Sequence, residues 1–228
     1  MTDLSLSKGD ADAAALEQAS EARAAHGAGV AYADGEDHDH TLTNTGISNP
    51  KLAMWVFLGS ECLLFGGLIS TFLLYKRNNL AGGPTPQELY DIELTSISSF
   101  VLLMSSLTMV LAVSAIQRGE HQRLRLWLVT TAILGAVFIS GQVYEFQVFV
   151  KEGMGFTTNS ASSAFFALTG FHGVHVTLGI VMLLSAVMMS LRGRIPQARA
   201  EAVEIVGLYW HFVDVVWVLI FTIVYLIP

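Results

Sequence analysis

The sequence predicts an all-α fold, a polytopic bundle of five transmembrane helices, and three observations predict it. Mean hydropathy is +0.54 and 53% of the 228 residues are hydrophobic. Charged residues are 14% of the chain, against roughly 25% in an average soluble domain. Five apolar stretches stand out, at about 52–75, 94–117, 124–150, 160–191 and 203–227. Each exceeds the ~20 residues a helix needs to cross a bilayer core about 30 Å thick.

The first 49 residues form a separate compositional unit. They hold nine acids (Asp3, Asp10, Asp12, Glu17, Glu21, Asp34, Glu36, Asp37 and Asp39) against Lys8 and Arg23, which accounts for the whole formal charge of −7. Residues 50–228 therefore balance. Few large apolar side chains are available to pack, so the unit reads as an acidic, largely flexible cytoplasmic arm. It carries no apolar core of a signal peptide. "DHDH" at 37–40 offers weak metal ligands, but a solvated acidic run is the simpler reading.

Stretch one, in "WVFLGSECLLFGG", carries Gly59, Gly66 and Gly67, small residues that let helix backbones approach. Stretch two is rich in serine, with the same use. Stretch three carries Glu145 close to its outer end. Stretch four is long enough to tilt or to project a turn beyond the bilayer. Stretch five carries His211 and Asp214. Arg118, Arg123 and Arg125 mark the second loop and Arg192, Arg194 and Arg199 the fourth, while the first has Lys76 and Arg77 and the third only Lys151. Excess arginine marks the cytoplasmic side, so the N-terminus is expected inside and the C-terminus outside. The odd helix count leaves no pair of inverted halves of the usual transporter kind.

Six ionisable groups lie within or near the apolar stretches: Glu61, Glu145, His172, His175, His211 and Asp214. A charge at mid-bilayer costs ~2.5–3.5 kcal/mol even on the mild insertion scale. Glu61 sits about 14 Å along its stretch at 1.5 Å per residue, near the midplane. His172 and His175 are three apart on one helix face, and His211 and Asp214 repeat that spacing. An Asp–His pair one turn apart can hydrogen-bond and fix the imidazole tautomer. Interhelical polar pairing is the plain reading of all four, and a metal site is the alternative. Cys62 is the only cysteine, so a dithiolate copper centre and a thiolate-held iron–sulfur cluster are excluded within this chain. Haem b between His172 and His211 passes by count, but Phe165, Phe166, Phe171, Tyr209, Trp210 and Phe212 crowd that region. No nucleotide loop, nucleophile triad or nucleic-acid-binding basic patch is present, and Cys62 cannot make an internal disulfide.

At these residues the chain resembles a known family. "SSAFFALTGFHGVHVTLG" and "LYWHFVDVVW" resemble the signatures of subunit III of haem–copper terminal oxidases. "WVFLGSECLLFGG", "GGPTPQEL", "GQVYEFQ" and "EGMG" follow in the family's order, so the resemblance covers roughly residues 50–228 and all five helices. The form resembled is the five-helix bacterial one, which lacks the first two helices of the seven-helix form.

The resemblance implies an accessory subunit in the bacterial inner (plasma) membrane. It implies a V-shaped cleft holding ordered phospholipids, expected between a helix 1–2 pair and helices 3–5. Arg123, Arg125 and Trp127 are candidate headgroup contacts there. It implies no cofactor on this chain, with haems and copper on partner subunits. The partners implied are a catalytic subunit I, subunit II, small subunits and phospholipids, with no nucleic acid. Glu61 matches the family's carbodiimide-reactive carboxylate, linked to sustaining proton uptake through many turnovers. The donor reads as cytochrome c from Glu61 in "GSEC", with a quinol oxidase as the alternative because of the histidine-bearing arm. Two other classes stay open from the residues alone. One is a proton-coupled transporter using Glu61 and Glu145; the other is a membrane haem b protein.

Overall fold

The computed structural model describes residues 48–77, 92–193 and 200–227. The acidic arm with its "DHDH" run, the "GGPTPQEL" loop, Arg194 and Arg199 lie outside them. Five helices follow one another: α1 (Asn49–Arg77), α2 (Ile92–Gln117), α3 (His121–Lys151), α4 (Ser160–Leu191) and α5 (Ala200–Phe221). A π-helical turn, Thr222–Leu226, closes α5. All five are long and apolar enough to cross a membrane. The first four contain their predicted stretches, and α5 with the π-turn covers all of its own but Ile227; overruns are at most a turn, since polar residues at the interface continue a helix that hydropathy alone would end.

Local chemistry sets the ends. Gly119 follows α2 at φ 75°, where a side chain would be strained. The amides of Gly119 and Glu120 reach back to the carbonyls of Ile116 and Ala115 at 3.0 and 2.9 Å, closing the helix in a Schellman turn. Gly153, at φ 87°, ends α3 the same way. Asn159 caps α4 by accepting the Ser162 amide at 2.6 Å, satisfying one of the free donors of the first turn.

α2 packs chiefly on α3, α3 also on α4, and α5 lies against both α2 and α4. α1 stands at the side, on α4 and α5. The α1–α2 pair expected from the resemblance is therefore absent: α1 and α2 part, each leaning on α5. A groove of about 470 Å³ opens there, lined by Lys51 of α1, Val110, Val113 and Gln117 of α2, and Glu204 and Gly207 of α5.

Lipid tails are as apolar as leucine, so burial in hydrocarbon gives helices little reason to associate; close packing and hydrogen bonds must hold them. Trp210 shows how. Its indole is fully buried. A Cβ at Gly135 of α3 would stand 2.5 Å from the ring, and one at Gly179 of α4 would stand 2.8 Å away. Two glycines thus open the slot that the indole of α5 fills, while Ser105 of α2 accepts its Nε1–H at 2.9 Å. The glycines read from the sequence as contact points, Gly59, Gly66 and Gly67, have nothing within 4 Å of where a Cβ would lie. Within this chain the close approaches are at Gly135, Gly141, Gly173 and Gly179 instead.

Gly179→Ala should therefore overpack the slot at a cost of about 1–3 kcal/mol. Thermal unfolding in detergent should show a lower midpoint for Gly179→Ala and an unchanged one for Gly67→Ala.

Candidate functional site

The ionisable groups in the membrane helices resolve into three clusters and one isolated ring. The first joins α1 to α4. His175 Nε2 lies 3.1 Å from Glu61 Oε2, and its Nδ1 lies 2.8 Å from the Phe171 carbonyl. A carbonyl only accepts, so Nδ1 carries a proton and donates it. Nε2 then faces the carboxyl with one proton between them. The pair is a neutral acid donating to imidazole or an imidazolium donating to carboxylate. Tyr209 of α5 donates to the His175 carbonyl at 3.0 Å, and Phe65 stands edge-on to the imidazole at 5.0 Å between centroids. Groups of α1 and α4 therefore hold the ring, while α5 bonds the backbone of the same residue.

The second cluster joins α2 to α5. The Ser106 hydroxyl donates to Asp214 Oδ2 and lies 2.9 Å from His211 Nδ1. Having spent its only proton on the carboxyl, Ser106 accepts from His211, which fixes the Nδ1–H tautomer. The sequence suggested a direct Asp214–His211 bond; a serine from the neighbouring helix stands between them instead. Asp214 Oδ1 is buried without a partner among the described residues.

The third cluster lies around Glu145, 6% exposed. Thr95 of α2 donates to its Oε1 at 2.9 Å and Tyr225 at 3.1 Å. Tyr225 belongs to the π-helical turn after α5.

His172 belongs to none of these clusters, although it shares a helix face with His175. It is fully buried, and neither nitrogen has a hydrogen-bond partner among the described residues. It stacks on Trp217 at 4.9 Å and 28°, with Phe138 edge-on at 5.9 Å. It acts as an aromatic core residue. His211 bonds to Ser106 on α2, so the ring neighbours of the two histidines are different side chains. Among the described residues no three His, Cys, Asp or Glu side chains converge as ligands for a metal ion.

The residues named for headgroup contact have protein partners. Arg125 donates to the Ser190 hydroxyl and carbonyl at 3.0 and 2.8 Å, tying α3 to the end of α4. Arg123 pairs with Glu120 at 2.9 Å. Trp127 packs half-buried against the core. Three partners went unread in the sequence. Ser99 accepts from Trp217 Nε1 at 2.8 Å, Ser105 accepts from Trp210, and Lys51 pairs with Glu204 at 3.0 Å, joining the starts of α1 and α5. A signal existed for the serines. The partner on α2 descends from Ser105 to Ser99 as that on α5 rises from Trp210 to Trp217, the register of antiparallel neighbours. Serines read only as small residues were thus acceptors placed for indoles.

With this geometry described, the chain can be set beside known proteins. Residues 32–227 match the family model described as cytochrome c oxidase subunit III. The chain is 39% identical over 178 residues to cytochrome c oxidase subunit 3 of Bacillus sp. (strain PS3), spanning 78% of this chain and 86% of that one. It is 43% identical over 176 residues to quinol oxidase subunit 3 of Bacillus subtilis (strain 168), spanning 77% and 85%. Cytochrome c oxidase subunit 3 of that same organism is 39% identical over 179 residues, spanning 78% and 86%.

The two neighbouring histidines should respond differently to phenylalanine. His172→Phe removes no hydrogen bond and keeps the ring stack, so stability should change by less than about 1 kcal/mol. His175→Phe strands the Glu61 carboxyl and should cost about 1–3 kcal/mol. Denaturation of both variants in the same detergent checks the order; equal costs would contradict the assignment.

Proposed function

The chain belongs to the cytochrome c oxidase subunit III family, and on that premise we propose that it is a non-catalytic, accessory subunit of a proton-pumping haem–copper terminal oxidase. The observation that carries the reading is how the intramembrane charges are used. Glu61, His175, His211, Asp214 and Glu145 are each engaged by a side chain of another helix, and His172 is stacked among aromatic rings. A chain that joins its own helices this way has its ionisable groups committed to structure. In this reading haems and copper reside on a catalytic subunit I and on subunit II, and this chain binds neither. Its work is to stabilise subunit I and its proton uptake, with small subunits and phospholipids completing the complex.

The proposed location is the bacterial inner membrane with the N-terminus cytoplasmic. Arginines in the second and fourth loops support that orientation. The Lys51–Glu204 pair holds the starts of α1 and α5 at one level, so the two share whichever side the arginines assign. A cysteine placed at Gly119 should then react with an impermeant reagent only when that reagent is admitted to the inside of sealed vesicles. Phospholipid is proposed in the groove on α5 between α1 and α2, whose lining combines apolar Val110, Val113 and Leu208 with polar Gln117, His211 and the Lys51–Glu204 pair. Cytochrome c is the proposed donor. A quinol donor has in its favour the 43% identity to the Bacillus subtilis quinol oxidase subunit. Oxygen uptake by the purified complex with reduced cytochrome c and with a quinol decides between them.

Within this function the Glu61–His175 pair holds α1 to α4 and α5. α1 is the least embedded helix, with 11% of its apolar window buried, so its attachment depends heavily on few contacts. Glu61→Gln retains a hydrogen-bonding amide at the same place. Initial oxygen uptake by the assembled complex should match wild type. Glu61→Ala should lose the bond and with it part of the subunit's retention, seen as faster inactivation during prolonged turnover. If Glu61→Gln abolished the first turnovers in a fully assembled and fully metallated complex, Glu61 would be part of the catalytic path and the accessory reading would fail.

A further inference from the structure

Asp214 is 4% exposed. Its Oδ2 accepts from Ser106, and its Oδ1 is buried without a partner among the described residues. Among those residues no cation pairs with it. A buried carboxylate with a bare oxygen and no counter-charge is costly, and one added proton removes the charge. We propose that Asp214 is a proton-binding site, loaded and emptied through Ser106 and His211 from the groove between α1 and α2.

The groove supplies the entrance. The His211 ring lines it. Ser106 takes Nδ1 at 2.9 Å, and Nε2 is not among the buried atoms, so Nε2 is the nitrogen open to the groove. In the unloaded state Nδ1–H donates to Ser106 Oγ, and the Ser106 hydroxyl donates to Asp214. A proton arriving at Nε2 makes an imidazolium. Its Nδ1 proton passes to Ser106 Oγ as the serine's own proton passes to Asp214 Oδ2. The balance is one proton gained. His211 is neutral again with its proton on Nε2, Ser106 donates to Nδ1, and Asp214 is a neutral acid donating to Ser106 Oγ. Imidazole and hydroxyl can each receive on one side and give on the other, which a relay requires. Both states keep both hydrogen bonds, so α2 stays tied to α5 throughout.

The titratable groups of the surrounding helices have other contacts. α2 carries no charged residue between Glu93 and Arg118. α4 presents His175, bonded to Glu61 of α1, and His172, stacked on Trp217. Tyr209 and Tyr225 donate to the His175 carbonyl and to Glu145. At the groove, Lys51 of α1 is paired with Glu204 of α5.

The test is infrared spectroscopy of the intact complex transferred from light to heavy water. Wild type should show a protonated-carboxyl C=O band that Asp214→Asn removes and that shifts promptly on transfer. Ser106→Ala and His211→Gln should keep the band and slow its shift by about 100-fold or more. His211→Gln can still bond to Ser106 but has no proton to pass, so it separates the relay from the bond, and it is the variant to use should Ser106→Ala not assemble. The proposal is overturned if no band sensitive to Asp214→Asn is found at any pH where the complex is intact. A band that shifts no faster in wild type than in His211→Gln also overturns it.

Discussion

Hydrocarbon neither completes an unmade hydrogen bond nor pushes two apolar helices together, and the rest of this structure follows from that pair of facts. Helices cohere only where surfaces fit closely or polar atoms find partners on another helix. Trp210 meets both demands at one point. It is slotted between Gly135 and Gly179, so its faces contact α3 and α4, and its N–H is accepted by Ser105 of α2. A residue of α5 thereby fixes three other helices. Trp217 repeats the arrangement through Ser99, with Phe138 at 4.8 Å and His172 at 4.9 Å on its ring.

The same constraint governs the ionisable groups. Glu61 and His175 share one proton and satisfy each other across α1 and α4. His211 and Asp214 are joined through a serine hydroxyl that can serve both. Glu145 is reached by Thr95 and Tyr225, the latter brought there by the π-helical turn that ends the chain's helical part. Committing these groups to one another gives the bundle a defined register. The large exposed apolar surface that remains, Leu63, Phe100, Leu126 and Val181 among it, is left for lipid and for the other subunits of an oxidase complex.

Much of the fold was legible because apolar length is a local property. Five stretches gave five helices with ends displaced by at most a turn. His175, His211 and Asp214 were legible as interhelical fasteners for a related reason: a charge in an apolar run needs a partner somewhere; His172, read the same way, is instead a stacked ring with no hydrogen-bond partner among the described residues. Which partner was not legible, since pairing depends on how helices lie in space. The position of α1 was misread on that account, as was the direct Asp214–His211 bond. Gly59, Gly66 and Gly67 were taken for contact points because a glycine's smallness does not say whether a neighbour approaches it. Arg125 shows the same limit: an arginine at a membrane interface suits a headgroup, yet here it binds the carbonyl that ends α4. Ser99 and Ser105 were partly readable, because their order along α2 runs opposite to that of Trp217 and Trp210 along α5, the pattern antiparallel helices impose.

The central claim is that this chain supplies architecture and no redox centre to an oxidase. Removing it from the purified complex with detergent, then measuring haem and copper in what remains, tests that claim most directly. The account predicts that the remaining subunits keep their full haem and copper content per catalytic subunit. Loss of haem or copper in proportion to the chain removed, with the metal recovered on the released chain, would contradict it.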